Sequence, residues 1–453
     1  MRAGRRQASG EAAGGPGRSF SCLSAVKICS GGQGKGERMN HYIFFTANIH
    51  PIGGMQTYVA GKAKFLEAEG WRVTVFFSGR NNDGGCAIKS LEKYRAGWFP
   101  EISIPPGNWP AFMRKASLRE MCKQIGDTDG RVIIESQASA YALWGELLAK
   151  ELGAKHFCFI CNETFRGKDR FYEEYLDFFD FKHRRGELAG IHDTSLPQLF
   201  DGYKYVAPEE NVTFTAAYEG PVQDVENDGV NRIEREDWNI CYIGRIEKGY
   251  VPEIIRGVRE FARANPDKRI QFIFVGDEKK RLELILQTFA GAENVKLTFL
   301  GSCVPIPRAL YSKVDVVIAG SGCAVYSARE KALTILADAK DFTTNGVLGI
   351  DTLDALYCEE GKARMSYQQA LEKVLVLREY EKGEIRIDMG RPCQAYYREQ
   401  LDLISASRQG AGYYDVIKHR KNSCKWKWTL YRIDWMIKIV HRKNASRVRA
   451  LRA

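Results

Sequence analysis

The chain reads as an α/β protein built on parallel sheets. Short apolar runs stop at a glycine, segments of helical period separate those runs, and fixed cations follow one of the glycines. Residues 239–244 form the clearest case, an apolar strand closing at Gly244 with Arg245 and Lys248 just beyond it. Pro252 then stands where a helix can begin, and Ile254, Ile255, Val258, Phe261 and Ala262 recur at helical spacing. A second strand at 270–275 ends at Gly276. Leu282, Ile285, Leu286 and Phe289 mark another helix, and strands at 295–300 and 314–319 complete the alternation. Such a pattern favours a parallel sheet with helices on both faces, and ligands bind such sheets outside the carboxyl ends of their strands.

The loop Gly320-Ser321-Gly322-Cys323-Ala324 follows the last of these strands and leads into a helix predicted over 324–332. Small residues let the backbone approach a ligand closely, and the N–H groups of a helix start attract phosphate. Arg245, Lys248 and this helix start are therefore expected to neutralise a diphosphate together.

On these residues the chain resembles the GT-B glycosyltransferases of the retaining family 4 type, over most of residues 39–360. Their C-terminal domain has a Gly-Arg followed by Lys-Gly, a Val-Gly turn after the second strand, and two glutamates eight residues apart. The resemblance implies two Rossmann-like parallel-sheet domains facing a cleft, with C-terminal helices. It makes Glu330 the second glutamate, which in the family bonds the nucleotide ribose. Position 322, where the family has a glutamate holding the donor sugar, is Gly322, and Arg245 and Lys248 stand two residues closer together than the usual pattern.

The amino-terminal half agrees. A strand at 41–47 precedes Gly53 and Gly54, which open a helix bearing Met55, Val59, Ala63 and Leu66 on one face, and 71–77 is the next strand. The dinucleotide fingerprint G-x-G-x-x-G is absent from this turn. It resembles instead the glycine loop with which the family faces the donor phosphates. Further strands are predicted at 132–135 and 156–161, joined by a helix over 138–152. After the last of them the family often places a catalytic histidine; here Cys161-Asn162-Glu163-Thr164 follows.

A chain of 453 residues exceeds what one core supports, and 44% hydrophobic residues can fill two. The expected boundaries are an extension at 1–38, a first domain at 39–218 on the acceptor side, a linker at 219–238 and a donor domain at 239–365. C-terminal helices follow at 366–417, then a basic tail at 418–453. The helices at 367–377 and 396–404 are the candidates for crossing back to the first domain.

Charge is segregated. Residues 418–453 carry twelve Lys or Arg and one Asp, residues 1–38 carry seven basic and two acidic groups, and the body between them has a net charge of −5. The first 38 residues are rich in Gly, Ser, Ala and Arg, without a long apolar core. They are Arg-rich and acid-poor like a mitochondrial presequence. The preferred reading is a misassigned start with Met39 as the first residue, because Gly36-Glu37-Arg38 can be encoded by a purine-rich run like a bacterial ribosome-binding site.

In the tail, Trp426, Leu430, Ile433, Ile437 and Val440 recur at helical spacing amid Lys425, Lys427, Arg432, Lys438, Arg442 and Lys443. A basic, Trp-rich amphipathic helix of this kind suits an anionic membrane surface, the alternative being a closing helix packed on the first domain. The twelve cysteines are scattered, which argues against an extracellular disulfide scaffold. Cys158-x-x-Cys161 lies inside an apolar strand with no second pair nearby, and Asp127-Thr128-Asp129 precedes a strand in a polar loop. Neither reads as a metal site.

The expectation is a glycosyltransferase moving a hexose-type sugar from a nucleotide-diphosphate donor, with no metal or separate cofactor. The resemblance implies a lipid-linked oligosaccharide acceptor in bacterial surface-polysaccharide assembly at the inner face of the cell membrane. A GT-B homologue that binds nucleotide or glycan without catalysis is the alternative that Gly322 and the missing histidine leave open. A nucleic-acid-binding protein would explain the basic tail, but the acidic body offers no matching groove, and no nucleic acid is expected.

Overall fold

A computed structural model of the protein describes residues 39–79, 85–137, 139–161, 175–277, 281–407 and 412–419. The extension 1–38, the polar segment Asn162-Glu163-Thr164 and the tail helix from Lys425 onward lie outside the described residues.

The first half is a six-stranded parallel sheet. Its strands are β1 (His41–Thr46), β2 (Arg72–Phe77), β3 (Arg95–Trp98), β4 (Val132–Gln137), β5 (Lys155–Ile160) and β6 (Leu188–Gly190), in the order β3-β2-β1-β4-β5-β6. β1, β4 and β5 are buried along their whole length, as parallel strands covered on both faces must be. Helices α1 (Gly54–Ala68), α2 (Ala111–Ile125), α3 (Ser139–Leu152) and α4 (Leu176–Arg184) supply that cover. In α1, Val59, Ala63 and Leu66 are buried as their spacing predicts. β3, β6 and α2 escape the sequence reading. β3 is four residues including an Arg and a Gly, and β6 is only Leu-Ala-Gly. α2 had a usable signal, since Met113, Leu118, Met121 and Ile125 repeat after Pro110 and are buried.

A short pair, β7 (Val222–Gln223) with β11 (Ile306–Pro307), changes the reading of 219–238 as a plain linker. Val222, Val230 and Ile233 from this segment are buried in the core of the second half. They are too few and too widely spaced among polar residues to show a period.

The second half has strands β8 (Trp238–Ile243), β9 (Ile270–Val275), β10 (Val295–Phe299), β12 (Val316–Ala319) and β13 (Thr334–Leu336), all parallel, in the order β10-β9-β8-β12-β13. Helix α5 (Val251–Ala264) packs Ile254, Ile255, Val258, Phe261 and Ala262 into the core, and α6 (Leu282–Thr288) adds Ile285. Helix α7 runs over Ser321–Arg329 and not 324–332. It begins directly after an extended Gly320 and ends where Lys331 turns to φ 67°.

In each sheet the strand order reverses once, between β1 and β4 and between β8 and β12. Such switch points open a crevice at the carboxyl ends of the strands.

The two C-terminal helices part company. α8 (Tyr367–Leu371), started by a Ser366–Gln369 capping box, packs into the second core, whereas α9 (Cys393–Ala406) crosses back and buries Tyr397, Leu401 and Ile404 in the first. Tyr397 Oη donates to the Ala217 carbonyl, and a Cβ at Gly61 of α1 would overlap that hydroxyl, so α1 and α9 approach at glycine distance. Gln400 Nε2 donates to the Thr215 carbonyl at 2.9 Å.

Beneath this contact lies a buried charge pair. Lys62 Nζ of α1 is 2.6 Å from Glu135 Oε2 of β4, both side chains being 0% exposed. Tyr42 Oη donates to the same oxygen at 2.5 Å, and Tyr58 Oη stands 3.0 Å from Glu135 Oε1 and 3.1 Å from Gln400 Oε1. Burial, and then the Glu135 charge, pushes the Tyr42 phenol well above its ordinary range.

Candidate nucleotide-sugar site

At the carboxyl edge of the second sheet, the turns after β8, β9 and β10 are stitched together by main-chain bonds. Gly244 N–H donates to the Val275 carbonyl at 3.0 Å, and Gly276 N–H donates to the Gly301 carbonyl at 2.8 Å. Gly276 is required here, because a Cβ at that position would overlap the Gly244 carbonyl oxygen. Gly276→Ala is therefore expected to push the Gly244 turn outward and cost about 1–3 kcal/mol of stability, measured by urea unfolding. A variant as stable as the parent would show that the turns are not in contact.

The turn so held presents Arg245 and Lys248. Lys248 N–H donates to the Arg245 carbonyl at 3.2 Å, and Tyr242 Oη donates to the same oxygen at 3.0 Å. The Arg245 side chain is 53% exposed, with Glu247 Oε1 at 3.9 Å, a loose contact of small energetic weight. Arg281, which the sequence reading passed over, donates to the Glu247 carbonyl at 3.2 Å and adds a cation to the same edge. Its signal was the basic run Lys279-Lys280-Arg281 ahead of a seven-residue helix.

Across the β8–β12 switch point stands the start of α7. A Cβ on Gly320 would lie 3.2 Å from Tyr250 Oη, so this loop and the Arg245–Lys248 turn are neighbours. Ser321 has φ 54°, an uncommon conformation for a side chain-bearing residue, and its N–H donates to the Ala355 carbonyl at 2.7 Å. The loop carrying Ala355 thus takes the first of the helix-start donors that the sequence offered to phosphate. The same loop is braced at Glu359, whose Oε1 accepts from Leu353 N–H at 2.6 Å and from the Thr352 hydroxyl at 2.8 Å. The Leu353 bond, then Lys362 Nζ at 2.9 Å and the Thr352 hydroxyl, hold its carboxyl at about 2. Gly322 and Cys323 lie in the first turn of α7, Gly322 exposed and Cys323 half-buried, while Ala324 is buried in the core.

Glu330 sits at the C-terminal cap of α7, 19% exposed, and its carboxylate is paired with Arg308, whose Nε also lies 3.1 Å from Asp224 Oδ1. A ribose bonding Glu330 would share it with that guanidinium. Gly53 and Gly54 are on the first sheet, where they open α1, and the Gly53 carbonyl accepts from Thr57 N–H at 3.0 Å. Their bonds are local, at the carboxyl end of β1 beside that sheet's own switch point. The structure therefore gathers Arg245, Lys248, Gly276, Ser321, Gly322 and Cys323 at one sheet edge, with Ala324 beneath them. Glu330 is one helix length away, and Gly53 and Gly54 are on the other sheet.

A cleft of about 760 Å³ opens along the α7 face of Gly322, Val325, Tyr326 and Arg329, against residues 215–218 and the returning segment 386–396. Burial raises the Tyr326 phenol to about 12.

No protein-family model matches this sequence, and no curated protein does. Among solved structures the chain is similar to a glycosyltransferase from Rickettsia africae ESF-5, with TM-score 0.50 and 12% identity over 85% of this chain and 100% of that one. It is also similar to Anabaena Alr3699/HepE in complex with UDP and glucose, with TM-score 0.51 and 12% identity over 86% and 99% of the two chains. The same Anabaena protein in complex with UDP-glucose gives TM-score 0.51 and 11% identity over 81% and 95%. With the two parallel sheets and the returning helix, these likenesses establish a GT-B fold.

Proposed function

We propose that the chain is a glycosyltransferase that moves a sugar from a nucleotide-diphosphate donor to a glycan acceptor. The observation that carries this reading is the pair Arg245 and Lys248, on a turn held by Gly276 at the switch point of the second sheet, with Tyr250 just beyond it lying against Gly320 ahead of α7. Two cations at that place stabilise a departing diphosphate by preorganised charge, without a metal ion. The Rickettsia protein of the same fold is a glycosyltransferase, and the Anabaena protein binds UDP and UDP-glucose, which supports a nucleotide sugar as donor.

Retention of anomeric configuration, a family 4 relationship, a lipid-linked acceptor and a role in bacterial surface-polysaccharide assembly rest on the sequence resemblance. A place on the inner face of the cell membrane rests on the basic, Trp-containing pattern of residues 425–453.

A second reading, a GT-B protein that binds nucleotide or glycan without transfer, is favoured by Gly322, by the Ser321 N–H engaged with Ala355 and by the Arg308–Glu330 pair.

Thermal unfolding with a panel of nucleotides and nucleotide sugars, followed by assay of sugar release, tests both. A nucleoside diphosphate at about 100 times its dissociation constant is expected to stabilise the protein by roughly 2.7 kcal/mol. Stabilisation with sugar release supports the transferase, and stabilisation without release supports the binding protein. No response to any nucleotide overturns both.

A further inference from the structure

The cleft beside Gly322 has a composition that a neutral sugar does not call for. The residues that line it include three arginines, Arg329, Arg386 and Arg391, one acidic residue, Asp388, and two tyrosines, Tyr326 and Tyr396. Arg391 is neutralised by Glu399 at 2.6 Å, and Arg386 has only a 3.7 Å contact with Glu384 in which both side chains are 80% exposed. Arg329 differs from both. It is half-buried, its Nε and Nη2 donate to the Asp388 backbone carbonyl at 2.9 and 2.8 Å, and among the described residues it has no carboxylate partner. A guanidinium held in place by a neutral acceptor keeps its charge for something else. Its planar fork suits a carboxylate.

Gly322 leaves that end of the cleft open. A Cβ there would meet nothing closer than the Tyr326 ring at 3.4 Å, so packing does not require the glycine, and the lack of a side chain leaves volume in the cleft that Arg329 also lines. An acidic side chain at 322 would instead have placed a negative charge on the same helix face as Arg329. An apolar, aromatic cleft with a few convergent charged groups is the usual make-up of a small-ligand site.

We propose that this cleft binds a carboxylate-bearing sugar, a hexuronic-acid-type residue, with its carboxylate on Arg329 and Arg386 and its ring against Tyr326 and Tyr396. The acidic sugar has two possible sources, the donor's own sugar or the end of the acceptor glycan. The donor case rests on the nucleotide-sugar reading above, and the acceptor case does not.

Calorimetric titration of the full chain separates them. In one arm UDP-glucuronic acid is compared with UDP-glucose and UDP; in the other, tri-galacturonate is compared with maltotriose. A tenfold or greater preference for the acidic member in the first arm identifies the donor, and in the second the acceptor. That preference is expected to fall about tenfold in Arg329→Gln, the scale of one charge-assisted bond. It should also fall in Arg386→Gln, whose exposed side chain can be lost without harm to the fold. Circular dichroism of both variants checks folding, and if Arg329→Gln does not fold, Arg386→Gln decides.

Equal affinity for acidic and neutral members in both arms overturns the inference. An acidic preference that survives in the folded variants overturns it too. UDP binding without any acidic preference leaves the nucleotide-sugar reading standing and sinks only this one, whereas tri-galacturonate binding without UDP binding does the reverse.

Discussion

Lys62→Met is expected to destabilise the protein by about 3–5 kcal/mol at neutral pH, because it strands the Glu135 carboxylate in the core without its cation. Glu135 is 0% exposed, and the two tyrosine hydroxyls that remain beside it offer hydrogen bonds but no charge. Adding Glu135→Gln removes the stranded charge and keeps one acceptor oxygen for Tyr42, while Tyr58 Oη can donate to Gln400 Oε1, so the double variant should recover much of the loss. Urea unfolding of the parent and the two variants at neutral pH checks this. A single-variant loss below about 1 kcal/mol would place water at the pair and contradict its burial.

The combined Arg245→Ala and Lys248→Ala variant is expected to lose about 10²–10³-fold in turnover of donor, the scale at which a preorganised charge on a leaving group is felt. Stability should stay near that of the parent, since the Arg245 side chain is more than half exposed and its contact with Glu247 is a loose 3.9 Å. Donor affinity and sugar release would be measured together with the unfolding midpoint. Full activity in a folded double variant would remove the diphosphate from this edge of the sheet.

The strands that bear these residues were legible because each is long, apolar and closed by a glycine, as at Ile270–Val275 before Gly276. β13, with three residues between Leu333 and Ala337, lacks the length for a period, and α7 begins three residues early because small residues give no apolar signal. The position of Arg245 was readable from local order alone. What engages Glu330 was not, since Arg308 lies 22 residues away on another element, and the Lys62–Glu135 pair spans 73 residues. Pairings of that range depend on tertiary closure, and the spacing of residues along the chain carries no record of them. The arginines of the cleft were missed for the same reason, since Arg329 on α7 and Arg386 on the returning segment come to one cleft only through tertiary packing.

That return has a mechanical consequence. The chain leaves the first half near Thr215–Ala217 and re-enters it near Tyr397–Gln400, and the two passages are laced side by side through Tyr397 to Ala217, Gln400 to Thr215 and Gln394 to Glu219. The two passages run side by side like the spine of a book whose covers are the two sheets, and sliding one sheet past the other would break the lacing. Residues 215–218 and 386–396, which wall the cleft, are also the spine of that book. Anything that fills the cleft therefore touches both passages of the chain at once.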